Sequence, residues 1–277
     1  MRLMYIEKMD KPRWGRIKIK IENENCKLYA NLEKEKNIKK VINKLVKNDV
    51  VNVVLSKELY KNKNFINAIN ASNINIFDGR WLEKYLSIKI LDFIVQQKKW
   101  KKEEIEIAIT VNQITDLSIE IIKILAKQYK RVTVVTKHLE KLKKVEQEIY
   151  DREGVIIIVA NNQKKSLVRA DLILNIDFNK ELINKYKINE NACIVNLEGD
   201  IQIDAKRFNG INVNDYEIEV GREEIIWRPN MKEFRTKDLF EAVLYMKDTF
   251  ESISIKINKN KVKIKELYGV NGKIIIK

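Results

Sequence analysis

Hydrophobic and polar positions change period several times along the chain, and each change marks an element. From 105 to 136 the order is IEIAIT, VNQITD, LSIEIIKILAKQYK and RVTVVT. That is an apolar run, a polar connection, a stretch with apolar residues every three to four positions, and a second apolar run. Continuous apolar runs read as strands buried on both faces, and the longer spacing reads as a helix. The spacing goes on to predict a helix at 138–150, a strand at 155–160 and a short helix at 164–169. A strand at 171–177, a helix at 180–187 and a strand at 192–197 follow. Five apolar strands alternating with helices predict an α/β fold with a doubly wound parallel sheet.

Upstream the pattern is also α/β. Alternating runs between 13 and 32 flank a polar turn at 23–25, which reads as a hairpin or small meander. A helical face follows at 33–47, with Ile38, Val41, Ile42, Leu45 and Val46 on one side and lysines on the other. VVNVVL at 50–55 reads as a buried strand, Ser56 as the cap of a helix over 57–71, and 74–77 as a further strand ended by Asp78-Gly79. This smaller N-terminal α/β portion is expected to form its own sheet. Residues 80–99 make one long helical pattern whose apolar face, including Trp81, Leu86, Leu91 and Ile94, is broad enough to be packed on more than one side.

Beyond 204 the pattern is mixed. Candidate strands lie at 211–213 and 224–227, the second broken by Pro229. A helix is expected at 236–249, with Thr236 and Asp238 as capping groups and an apolar face suited to packing back on the N-terminal portion. Strands at 252–257 and 262–267 around 258–260 predict a C-terminal hairpin, with an edge strand at 273–276.

At 277 residues, 45% hydrophobic and 34% charged, the composition is that of a soluble globular protein. VIIIVA at 155–160 is among the longest apolar runs and far short of the roughly 20 residues that cross a bilayer. The start, MRLMYIEKMDKPRW, has no signal-peptide core, so a cytoplasmic protein with no membrane partner is expected. Cys26 and Cys193 are too few and too isolated for a disulfide framework or a zinc site, and Cys193 reads as buried. A net charge of +15 and a pI near 9.5 raise the prospect of a nucleic-acid partner. Lys, Ile and Asn all have A/T-rich codons, so a low-GC bacterial genome accounts for the same composition, and Arg, the residue of base readout, is scarce. Nucleic acid is therefore not the favoured partner. Lys98-Lys99-Trp100-Lys101-Lys102 reads as a solvated linker with an anchoring Trp rather than a base-stacking site.

RVTVVTKHLEKLKKVEQEI, RADLILNID and NACIVNLEGD resemble the second strand with its helix, the fourth strand and the fifth strand of the NAD(P)-binding domain of the shikimate dehydrogenase and glutamyl-tRNA reductase group. FDGRWLEKYL is similar to the stretch that precedes that domain in shikimate dehydrogenases. The resemblance covers about a third of the chain. It implies that 105–220 is a Rossmann-like domain; the residue pattern sets beside it an N-terminal domain at 1–79, a connecting helix at 80–104, and a C-terminal helix and hairpin at 221–277.

The chain departs from that group where the cofactor would bind. A dinucleotide turn uses glycines to bend and to let the diphosphate approach the backbone. No glycine lies between Gly79 and Gly154, and the turn reads Val111-Asn112-Gln113-Ile114-Thr115-Asp116. Thr115 reads as a helix cap and Asp116 as a complement to the helix dipole, and the turn's side chains are expected to fill the crease. Were a nucleotide to bind, Asn112, Gln113 and Thr115 would meet its phosphates, and Thr136, Lys137 and His138 the ribose end, Lys137 suiting the extra phosphate of NADP. No catalytic set is evident: there is no Thr-Pro-Lys, no counterpart of the reductase cysteine at Cys26, and one His in all. Asp177, Glu198 and Asp200, with Asn112, fall at strand ends, where they either hold Mg²⁺, transfer protons or solvate the sheet edge. The reading is a noncatalytic Rossmann-like protein, without a cofactor, binding an unidentified protein or small ligand. The alternatives are an NADP-dependent oxidoreductase of the shikimate dehydrogenase type and a basic RNA-associated module.

Overall fold

A computed structural model describes residues 2–9, 18–204, 206, 208–221, 231–245 and 249–276. They form two compact units, 1–82 with 220–261 and 83–219 with 262–277. The stretch 221–277 is thus shared between them.

The first unit holds β1 (Arg2–Lys8), β2 (Lys18–Glu22), β3 (Asn25–Tyr29), β4 (Val50–Leu55) and β5 (Asn75–Ile76), in the order β2-β3-β1-β4-β5. The sheet is the N-terminal portion's own, as expected. β2 and β3 form the expected hairpin, turning at Asn23 with φ 55°, a conformation Asn tolerates. The part of that run at 13–17 lies outside the described residues. The pattern did not reveal β1, whose apolar run Leu3-Met4-Tyr5-Ile6 is short and flanked by Arg2 and by Glu7-Lys8. Met4, Tyr5 and Ile6 are nonetheless all buried, since the strand lies mid-sheet with both faces covered.

On one face α1 (Glu35–Val46) and α2 (Lys63–Asn70) set Ile38, Val41, Leu45, Phe65 and Ile69 against Met4, Ile6, Val53 and Leu55. α2 starts later than expected. Its cap is Asn62, whose side-chain oxygen accepts the Phe65 N–H at 2.9 Å, while Ser56 Oγ is taken by the N–H of Lys8. On the other face, Phe234, Leu239 and Ala242, the last two on α7 (Thr236–Leu244), pack on Tyr5, Val54 and Phe77. The C-terminal helix does pack back on the N-terminal sheet. Neither Thr236 nor Asp238 caps it: Arg235 holds the cap position without a side-chain bond, and Asp238 is buried.

The strand expected at 252–257 is a helix, α8 (Phe250–Lys259), capped by Thr249. An alternating run contains the four-residue step of a helix face, so Ile253 and Ile257 face the core while Ile255 is 59% exposed. The hairpin around 258–260 is therefore absent. The candidate strand at 224–227 lies outside the described residues.

α3 (Arg80–Gln97) begins among the first unit's residues and continues in the second. The second unit then alternates β6 (Glu106–Thr110), α4 (Asp116–Gln128), β7 (Arg131–Val135), α5 (Leu139–Glu153), β8 (Ile158–Ala160), β9 (Leu172–Asn175), α6 (Lys180–Ile183), β10 (Cys193–Asn196) and β11 (Ile211–Val213). The six strands run parallel in the order β11-β10-β9-β6-β7-β8. The chain winds from β6 to one edge, returns to β9 beside β6, and winds to the other edge, which is the doubly wound order. β11 makes it one strand wider than the five expected.

The helix expected at 164–169 does not form. The Asn162 side chain accepts the Lys164 N–H and Ser166 Oγ accepts the Asn162 N–H, so local side-chain bonds turn the backbone and pull it from a helix. α6 is likewise shorter than the 180–187 expected. β12 (Asp215–Glu219), β13 (Lys263–Gly269) and β14 (Gly272–Lys273) close the unit as a separate antiparallel sheet. The C-terminal strand thus pairs with β12 rather than with 252–257. Among the described residues, no helix is long and apolar enough to cross a membrane.

Candidate functional site

Open α/β sheets take ligands at the carboxyl ends of the strands where the winding reverses, here between β6 and β9. Thr110 pairs with Asn175, so the turn after β6 and the turn after β9 lie side by side. Across that boundary the Asp177 carboxylate accepts the N–H of Asn112 at 2.6 Å and of Gln113 at 2.5 Å. In a dinucleotide-binding turn the backbone N–H groups face the diphosphate. Here a carboxylate of the chain itself holds two of them.

The helix behind the turn is closed as well. Thr115 Oγ1 accepts the Ser118 N–H at 3.2 Å and Ser118 Oγ accepts the Thr115 N–H at 2.8 Å, a reciprocal cap that uses up donors at the start of α4. The side-chain oxygen of Asn112 is buried and takes no hydrogen bond among the described residues. The turn thus presents the Asp177 carboxylate and the Asn112 side-chain oxygen at the crevice. Burial raises Asp177 above the usual carboxylate range, against the lowering effect of the Gln113 and Asn112 N–H groups; Glu198 raises it further and Lys84 lowers it. Glu198 pairs with Lys84 at 2.9 Å, and Asp200 is exposed.

Of the six residues singled out for a nucleotide, Asn112, Gln113 and Thr115 share the β6–α4 turn. Thr136, Lys137 and His138 share the β7–α5 turn, at the same edge because Thr110 also lies level with Val135. Thr136 is buried and its hydroxyl accepts the His138 N–H at 3.0 Å. Lys137 and His138 are exposed, and His138 precedes α5 without a side-chain capping bond.

Beneath the crevice runs a ladder of amides that residue types alone did not bring out. Thr110 Oγ1 donates to Asn175 Oδ1 at 2.6 Å, Asn175 Nδ2 to Asn196 Oδ1 at 3.0 Å, and Asn196 Nδ2 to Asn214 Oδ1 at 2.8 Å. The signal was present as LILN and CIVN, two apolar runs each closed by Asn, and as the alternating INVN. Buried amides satisfied by one another fix the register of the strand ends and so hold Asp177 in place.

The second unit is Rossmann-like. Solved structures similar to this chain include shikimate dehydrogenase in complex with NADP+ (14% identity, 93% of this chain and 96% of that one, TM-score 0.36). L-tryptophan dehydrogenase from Nostoc punctiforme matches at 8% identity over 85% of this chain and 68% of that one, TM-score 0.33. The dipicolinate synthase A chain from Bacillus subtilis matches at 12% identity over 55% of this chain, TM-score 0.33, and the chain spans 50% of its length. Likeness at this level concerns the fold alone. No protein-family model matches the chain, and no curated protein matches it.

Among the described residues, no group of three or more His, Cys, Asp or Glu is arranged to hold a metal ion. Cys26 and Cys193 are buried, which pushes both thiols up to about 11. The basic cluster binds its own unit: Lys102 pairs with Asp92, donates to Gln128 and lies over the Tyr129 ring, and Lys101 pairs with Glu104.

The first unit contains a second helix start served by a distant carboxylate. Glu241 on α7 accepts the N–H of Gly79 at 2.6 Å and of Leu82 at 3.1 Å. Beside it Asp238 accepts from Tyr60 at 2.9 Å and from Arg235 at 2.8 Å. Burial pushes Glu241 up to about 7 and Asp238 up to about 6.

Proposed function

We propose that the second unit is a noncatalytic Rossmann-like scaffold, closed to dinucleotides, whose role is to bind a partner or a ligand other than a nicotinamide nucleotide. The observation that carries this reading is the Asp177 carboxylate on the Asn112 and Gln113 N–H groups. A diphosphate approaching that turn would meet a negative charge instead of free donors. The reciprocal Thr115–Ser118 cap and the buried Asn112 oxygen support it from either side of the turn.

Thermal-shift titration of the full chain tests it. NADPH, NADP+, NADH and NAD+ are expected to leave the melting temperature of the native chain unchanged. Asp177→Ala frees the two N–H groups, and this variant is expected to be stabilised by inorganic pyrophosphate where the native chain is not. A ligand at a hundred times its dissociation constant adds about 2.7 kcal/mol. A rise of that size in the native chain with any nicotinamide nucleotide overturns the reading.

A further inference from the structure

At the other end of the same sheet lies an open groove of about 990 Å³. It exists because the connection from β8 to β9 makes turns at 162–166 rather than a helix. A doubly wound sheet ordinarily buries each face under its crossover helices. Here Ile156 and Ile158, beside and on the edge strand β8, stand 69% and 58% exposed along the groove. Thr133 of β7 lies level with Ile158 and lines the same groove.

Cations frame this apolar strip. Lys130, Lys164, Lys165 and Arg169 line the groove, are exposed, and make no ion pair among the described residues. Arg131 is held by Glu106 at 3.1 Å, and Glu106 is the one acidic residue in the lining. We propose that this groove receives an acidic amphipathic helix of a partner protein, in the place of the crossover helix that the sheet lacks. An apolar strip with a rim of one sign selects a ligand that is apolar on one face and of opposite sign beside it. The groove has no aromatic side chain on which a base could stack, which sets it apart from single-stranded RNA channels. A second copy of this chain, at +15, would bring lysines against lysines. The inference extends the scaffold reading by naming a partner class, but it concerns a different surface, so the nucleotide titration and the measurement below fail separately.

Fluorescence anisotropy of the full chain with a labelled designed peptide tests it. The peptide carries leucines at helical spacing with glutamates beside them, and a scrambled peptide keeps its composition but not its apolar face. Saturable binding is expected, weakened at least about tenfold for the scrambled peptide and for the Ile156→Glu/Ile158→Glu double variant. Lys164→Glu/Lys165→Glu/Arg169→Glu is expected to weaken it by a similar factor, and added salt to weaken it further. All five positions are at the surface, so unchanged circular dichroism is expected of both variants. No saturable binding, equal binding of the scrambled peptide, or indifference to the isoleucine substitutions overturns the proposal. So does a single-stranded RNA oligonucleotide that displaces the peptide and is itself lost in the same variants.

Discussion

In the first unit Glu241 accepts the N–H groups of Gly79 and Leu82 where α3 begins; in the second, Asp177 accepts those of Asn112 and Gln113 just before α4. Glu241 meets the positive end of α3, as the dipole favours, whereas Asp177 holds loop N–H groups ahead of the cap of α4. Their surroundings differ. Glu241 is 2% exposed, near an aromatic cluster in which Phe77 and Trp81 both pack on Tyr245. Asp177 is half-buried at a sheet edge, and α4 behind it already has its own cap. A buried carboxylate from a distant helix completes a helix start that Asp78 also serves, through the Arg80 N–H at 3.1 Å. A half-exposed one beside a capped helix ties the turn after β6 to the turn after β9.

The sharpest way to break this comparison is to remove the buried member. Glu241→Ala removes the carboxylate that accepts the buried Gly79 and Leu82 N–H groups and is expected to lower stability by about 2–4 kcal/mol in urea denaturation of the full chain. Asp177→Ala, whose N–H groups can reach water, is expected to lose about 1 kcal/mol. Equal losses would erase the distinction.

The pH dependence tests the buried member next. Glu241 is held up to about 7 and Asp238 up to about 6 in the folded chain. Between the ordinary carboxylate range and those values the folded chain keeps protons that the unfolded chain has released. The stabilisation is therefore full below the unfolded range and is lost as pH rises through 6 and 7. Melting curves should show stability falling by on the order of 2–4 kcal/mol from pH 5 to pH 8. Glu241→Gln should remove the larger part of that slope and leave the part due to Asp238; an unchanged slope would assign it elsewhere.

The smallest effect belongs to the local cap. Thr115→Ala is expected to lose about 1 kcal/mol in the same urea assay, with the Asn112 and Gln113 bonds to Asp177 intact. A larger loss would mean that Asp177 depends on the cap to hold the turn.

Much of the second unit was legible because its central strands β6, β9 and β10 are buried on both faces and its helices amphipathic, so period and length agreed. The missing glycines before α4 were likewise plain in the sequence. Elsewhere the local signal was ambiguous. ISIKI suits a strand and a helix face equally, and the packing of Ile253 and Ile257 chose the helix. At 162–166 the helical spacing lost to Asn162 and Ser166 bonding their own backbone. β1 was hidden because its apolar run is short and flanked by charges.

The order of elements, the doubly wound class of the second unit and the absence of a glycine turn were determined by residue types and their spacing, which act over a few positions. Tertiary structure alone decided that Asp177 faces Asn112, that Glu241 serves a helix start some 160 residues away in the chain, and that the sheet beside β8 lies open. Each depends on strand order and register, which no local period encodes, because they follow from which distant surfaces bury one another.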